Sequence, residues 1–71
     1  MMDEQLLQKF AKRIKNLRKL KGYTQDELSY RANIGRSTLA NLETASNDVT
    51  LTKINQIACA FEISLAELFN F

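Results

Sequence analysis

The sequence predicts an all-α fold of five short helices, on three observations. First, its 71 residues contain no proline and only two glycines, which favours helices joined by short turns over a sheet-rich fold. Second, apolar residues recur at helical spacing in successive segments, as in Leu6, Phe10, Ile14 and Leu17. Third, the segments are separated by residues that open or close helices, among them Thr24, Asn33, Thr50 and Ser64. The length fits one domain, residues 1–71, near the lower limit for a chain that folds without staples.

Taken in order, Met1 to Glu4 read as a frayed start with Asp3 as a cap. The first helix runs to about Lys21, with Leu6, Phe10, Ile14 and Leu17 as its buried stripe, and Gly22 stops it. Thr24 and Glu27 form a capping-box pair that opens the second helix. Leu28 and Ala32 face inward, and Asn33 tolerates the left-handed conformation that a sharp stop requires. The third helix starts after Gly35, a cap without a side chain, and reaches Glu43. Thr44, Ala45, Ser46, Asn47 and Asp48 make a polar loop ending at Val49. Thr50 caps a fourth helix whose stripe is Leu51, Ile54, Ala58 and Phe61, with Ile57 beside it. Glu62 and Ile63 break the period, Ser64 and Glu67 form a second capping box, and Leu65 to about Asn70 is the last helix.

Composition excludes several chemistries. An apolar share of 45% is ordinary for a globular chain. There is no histidine, and one cysteine, Cys59, permits neither an internal disulfide nor a multi-cysteine zinc site. A catalytic nucleophile with its base is not evident at any spacing, so neither an enzyme nor a cofactor site is expected. Cys59, inside an apolar helix, is expected to be a buried small hydrophobe, and a reducing cytoplasmic setting fits it. The longest apolar run, Ile57 to Phe61, is far too short for a bilayer, and no secretory signal pattern is seen.

The net charge of +2 hides a polarity. Lys9, Lys12, Arg13, Lys15, Arg18, Lys19 and Lys21 are seven of the ten basic residues, leaving three bases against eight acids, a net of −5, elsewhere. Such a positive stretch steers a polyanion toward one face. The plainer alternatives are a solvated helix whose last turn complements its dipole, or a basic amphipathic helix on a membrane surface. Three further amphipathic segments able to cover its stripe argue against the membrane. In the third helix, at about 100° per residue, Arg36, Ser37, Ala40 and Asn41 share one arc while Leu39 and Leu42 oppose it. Two leucines anchoring a ridge of Arg, Ser and Asn suit a helix that reads base edges in duplex DNA.

The run TQDELSYRANIGRSTLANLE, with IKNLRKLKGYTQ upstream and LTKINQIACAFEISLAEL downstream, resembles the lambda-repressor-like helix-turn-helix DNA-binding domains over nearly the whole chain. In length it is most similar to restriction–modification controller proteins and compact phage-type repressors. The resemblance implies a compact five-helix domain with the helix-turn-helix at helices 2 and 3, binding a pseudo-palindromic operator as a homodimer. It implies base contacts from Arg36, Ser37 and Asn41, and backbone contacts from Gln25, Thr38, Thr44, Ser46 and Asn47, with Ala40 near a phosphate or a thymine methyl. Gln25 is also expected to brace the start of the third helix. Arg18 and Glu43 match a pair that forms an ion pair under it. Ile63, Phe69 and Phe71 are the candidates for a dimer surface, core burial being the alternative for each. RNA polymerase or another regulatory protein is a further partner such a regulator admits.

The chain departs from the family pattern in places. Asn33 and Ala45 stand where glycine is frequent, Gly35 replaces a Ser or Thr cap, and Ser29 occupies a small buried position usually held by alanine. The rival reading is a protein-interaction module of the same fold, of antitoxin or antirepressor type, which the weak overall charge favours and the Arg36/Ser37/Asn41 arc disfavours.

Overall fold

Four of the five helices open on a side-chain cap written in the chain. In a computed structural model that describes residues 3–71, Asp3, Thr24, Thr50 and Ser64 cap α1 (Glu4–Lys21), α2 (Gln25–Ala32), α4 (Leu51–Ala60) and α5 (Leu65–Leu68). Their side chains accept from the backbone N–H three residues on, at 3.0, 3.0, 3.3 and 3.1 Å. α3 (Arg36–Glu43) follows Gly35 with no side-chain cap. The frayed start expected at Met1 and Met2 lies outside the described residues. The Thr24 capping box is half made: Glu27 turns its carboxylate to Arg31 at 3.0 Å instead of back to Thr24. α5 ends at Leu68, two residues short of the expected Asn70.

The first four helices stop in one way. Gly22, Asn33, Ala45 and Glu62 take positive φ of 76°, 56°, 57° and 59°. At each, its own N–H and that of the next residue turn back to helix carbonyls, with N···O of 2.9–3.2 Å, the paired bonds of a Schellman stop. After three of the four stops comes an apolar residue, Tyr23, Ile34 or Ile63, and all three pack against the core. Ile63, a candidate for a dimer surface, is thus half-buried in its own chain.

The core joins Phe10, Ile14 and Leu17 of α1, Leu28 and Ala32 of α2, and Leu39 and Leu42 of α3 to Ile57, Ala58, Ala60, Phe61 and Leu68. α2 packs on α3 and α4, α1 on α3, and α4 on α5. Three expectations need correcting. Leu6 is 52% exposed and Leu7 is buried in its place. Four-residue steps drift by about 40° each, so Leu6 lies roughly 80° from Ile14, whereas Leu7 lies within about 20°. Leu51, 69% exposed, shares Ala58's side of α4 but sits on the first turn, where no neighbour covers it. Cys59 is exposed, not buried. Ile57, Ala58, Ala60 and Phe61 fill one side of the segment, and Cys59 is diametrically opposite their centre.

Phe69 and Phe71, beyond α5, are 41% and 50% exposed. Phe69 stacks on Phe10 at 5.7 Å between ring centres, and Phe71 tilts against Phe69 at 6.2 Å. No helix among the described residues is long and apolar enough to cross a membrane.

Two substitutions test the stops with opposite signs. A Cβ at Gly22 meets nothing within 4 Å, so Gly22→Ala carries only the left-handed backbone cost and should lower stability by about 1 kcal/mol. Ala45→Gly removes that cost and should raise stability by up to about 1 kcal/mol. Urea unfolding midpoints should move in those directions.

Candidate nucleic-acid interface

α3 is held from beneath and open above. Leu39 is fully buried and Leu42 is 5% exposed, so one side of the helix is fixed in the core. Arg36, Ser37 and Asn41 are exposed, with Ala40 half-buried among them and Thr38 half-buried on one flank. The arc expected from the sequence is therefore a solvent-facing ridge. Arg36, Ser37 and Asn41 lie on it together, about one helical turn long.

The end of the ridge is fixed by Glu43, whose side chain is 2% exposed. Arg18 approaches it side-on, with Nε donating to Oε2 at 2.8 Å and Nη2 to Oε1 at 3.2 Å. Arg18 Nη1 also donates to the Tyr23 carbonyl at 2.9 Å, so the same guanidinium grips the turn between α1 and α2. Gln25 Nε2 donates to Glu43 Oε1 at 3.0 Å. Gln25 thus braces the last turn of α3 and not its start, contrary to expectation. Four donor contacts leave neither the carboxylate nor the guanidinium without partners, and no buried side-chain nitrogen or oxygen among the described residues lacks one.

The start of the ridge is tied elsewhere. Arg36 Nε donates to Asp26 Oδ1 at 2.6 Å, with the two side chains 52% and 83% exposed. Ser29 is buried, as its small size allows, and donates its hydroxyl to the Asp26 carbonyl at 2.8 Å. Arg31 pairs with Glu27 on the outer face of α2 and lies 4.5 Å over the Tyr23 ring. The hydrogen bond to Glu27 raises the pKa of Arg31, a side chain that is cationic in any case.

Beyond α3, Thr44 Oγ1 donates to the carbonyls of Ala40 or Asn41 at 3.2 and 3.1 Å and meets Ser46 Oγ at 2.6 Å. Thr44, Ser46 and Asn47 are all exposed. With the Thr44 proton given to α3, the contact at 2.6 Å takes the Ser46 proton, and the Asn47 amide is the side-chain donor that the loop still presents outward. Two features lie on its borders, of which Lys53 escaped the sequence reading. Lys53, from the first turn of α4, lines one cleft with Thr38, Asn41 and Asn47. Lys12, Lys15 and Asn16 of α1 line another with Thr44 and Ala45. The basic stretch is therefore divided in its work. Arg18 serves Glu43, and Arg13 caps the end of α5 through the Glu67 and Leu68 carbonyls at 2.8 and 3.2 Å, while Lys12 and Lys15 border the loop. Asp26 is the other residue missed. Only the turn between α2 and α3 brings it to Arg36, ten positions later.

The helix-turn-helix family model matches residues 14–68. No curated protein sequence matches the chain. Among solved structures, the restriction-modification controller protein C.AhdI from Aeromonas hydrophila is 35% identical, with 89% of this chain and 96% of that chain covered and a TM-score of 0.85. The restriction-modification controller protein C.Esp1396I, as a tetramer in complex with its natural 35 base-pair operator, is 31% identical over 94% of this chain and 88% of that one, with a TM-score of 0.88. The same protein bound to a 25 base pair operator site matches at 33% identity, 90% and 84% coverage, and a TM-score of 0.83.

Removing the carboxylate that gathers these contacts should be costly. Glu43→Ala leaves Arg18 largely buried without an anion and should lower stability by about 3 kcal/mol in urea unfolding. The double variant Arg18→Met/Glu43→Leu, which removes both charges, should recover most of that loss.

Proposed function

The chain belongs to the helix-turn-helix family, and on that basis we propose that it is a sequence-specific DNA-binding transcriptional regulator, laying α3 in the major groove of an operator. The observation that carries this reading is the exposed Arg36/Ser37/Asn41 ridge on a helix whose other side is fixed by Leu39, Leu42 and the Glu43 cluster. A groove-reading helix needs that combination, because bidentate contacts to base edges tolerate little error in position. Arg36 is the candidate for the acceptor edge of guanine and Asn41 for adenine, with Ser37 less selective. Gln25, Thr38, Thr44, Ser46 and Asn47 surround the ridge and are assigned to the backbone, where contacts set register without reading sequence. The similar controller protein solved on its operator supports the DNA-binding reading.

One helix covers only a few base pairs, so a homodimer on a pseudo-palindromic site supplies the remaining specificity, with its recognition helices roughly 34–36 Å apart. The partly exposed Phe69 and Phe71, continuous with Phe10, are the proposed contact between copies, with half-buried Ile63 as a third candidate.

Selection from a pool of random duplexes should return two inverted half-sites about one helical turn apart. Arg36→Ala should lower discrimination at one base pair of each half-site by about 1–3 kcal/mol. Gln25→Ala should weaken binding evenly across sequences, since a phosphate contact carries no base identity. An enriched pool without a motif would reject the reading. Phe71→Asp should shift the protein toward monomer in sedimentation and weaken a two-half-site duplex more than a single half-site.

A further inference from the structure

An acid on a surface meant for a polyanion calls for an explanation. Asp26 is 83% exposed on the first turn of α2, next to Gln25, and its carboxylate is bound to the first residue of the ridge. Exposed ion pairs contribute little to stability, so the fold does not account for it. Its charge also opposes any phosphate that approaches Gln25.

We propose that Asp26 is a specificity-determining positioning residue. It holds the Arg36 guanidinium by Nε, leaving Nη1 and Nη2 as the pair offered to a guanine edge, while its own charge weakens attachment to phosphate alone. The inference rests on the reading of α3 as the DNA-recognition helix. Its geometry is simple. A guanidinium carries five N–H donors in a rigid planar fork. The contact at 2.6 Å occupies Nε, and fixing one corner of a planar group fixes the direction of the opposite edge. An arginine without that tether samples many rotamers and reaches a nearby phosphate as readily as a base. Asp26 therefore acts against the loose mode and in favour of the bidentate one. Selectivity rises because the competing state is made worse.

The test uses the full chain, the motif it selects from random duplexes, the single-base variants of that motif, and one unrelated duplex, over a range of salt. Asp26→Ala should bind the unrelated duplex more tightly, and its log–log salt dependence should steepen by about 0.9 as the freed Arg36 takes a phosphate. Discrimination at one base pair of each half-site, the one that Arg36→Ala also affects, should fall roughly tenfold. Asp26→Asn keeps an acceptor for Nε and should retain part of that discrimination while still steepening the salt dependence. Glu4→Gln removes an equal charge from the start of α1 and should change neither quantity. Helical circular dichroism confirms that each variant is folded.

A wild-type protein that enriches no motif sinks the DNA reading itself. A motif that Asp26→Ala reads as sharply as the wild type, or weakens evenly at every sequence, sinks the role of Asp26 alone. A salt dependence that Glu4→Gln steepens as much as Asp26→Ala does also overturns it, because net charge would then be the cause.

Discussion

The Glu43 carboxylate, buried at the end of α3, is the point on which three elements converge. Arg18 comes from α1, Gln25 from the first turn of α2, and Glu43 from the helix that carries the ridge. Burying two charges is expensive, and the mutual attraction offsets that cost only where both are fully hydrogen-bonded. Here each carboxylate oxygen and each guanidinium nitrogen has a partner, and the result is directional in a way apolar packing is not. Leu39 and Leu42 hold α3 against the core, but leucines tolerate small slides and rotations. A side-on guanidinium contact does not, because both of its bonds must stay in one plane. The cluster therefore fixes the rotation of α3, and with it the direction in which Arg36, Ser37 and Asn41 face.

Charge is distributed to match. Of the basic residues in α1, the two arginines are used within the fold, Arg18 on Glu43 and Arg13 on the carbonyls that close α5. Both tasks need several donors in fixed directions, which guanidinium has and ammonium lacks. The lysines do the work that needs only charge, and Lys12 and Lys15 border the loop after α3. A net charge of +2 is thus compatible with a surface that attracts DNA.

Legibility followed the range of each interaction. The caps at Asp3, Thr24, Thr50 and Ser64 were readable because the donor lies three residues from the acceptor. Gly22 and Asn33 were readable as stops because their own chemistry permits positive φ. Glu62 was not, since nothing in a glutamate favours that conformation, and it is held there by the bonds at 3.0 and 3.1 Å that close α4. Leu6 and Leu7 differ in phase alone, and a stripe drawn in four-residue steps chose the wrong one. For Cys59 composition misled, because an apolar segment still has an outer side when only one of its faces meets the core.

The five helices, their boundaries to within a residue or two and the polar arc of α3 were determined by the sequence itself, because caps, stops and periodicity act within a single turn of chain. The tertiary structure decided what those helices hold in place. Only packing could show that Gln25 braces the end of α3, that Arg13 closes α5, and that Asp26 grips Arg36. In each case the partners lie on different elements, 10 to 55 positions apart. A contact of that kind depends on where two helices meet, and no local pattern encodes that meeting.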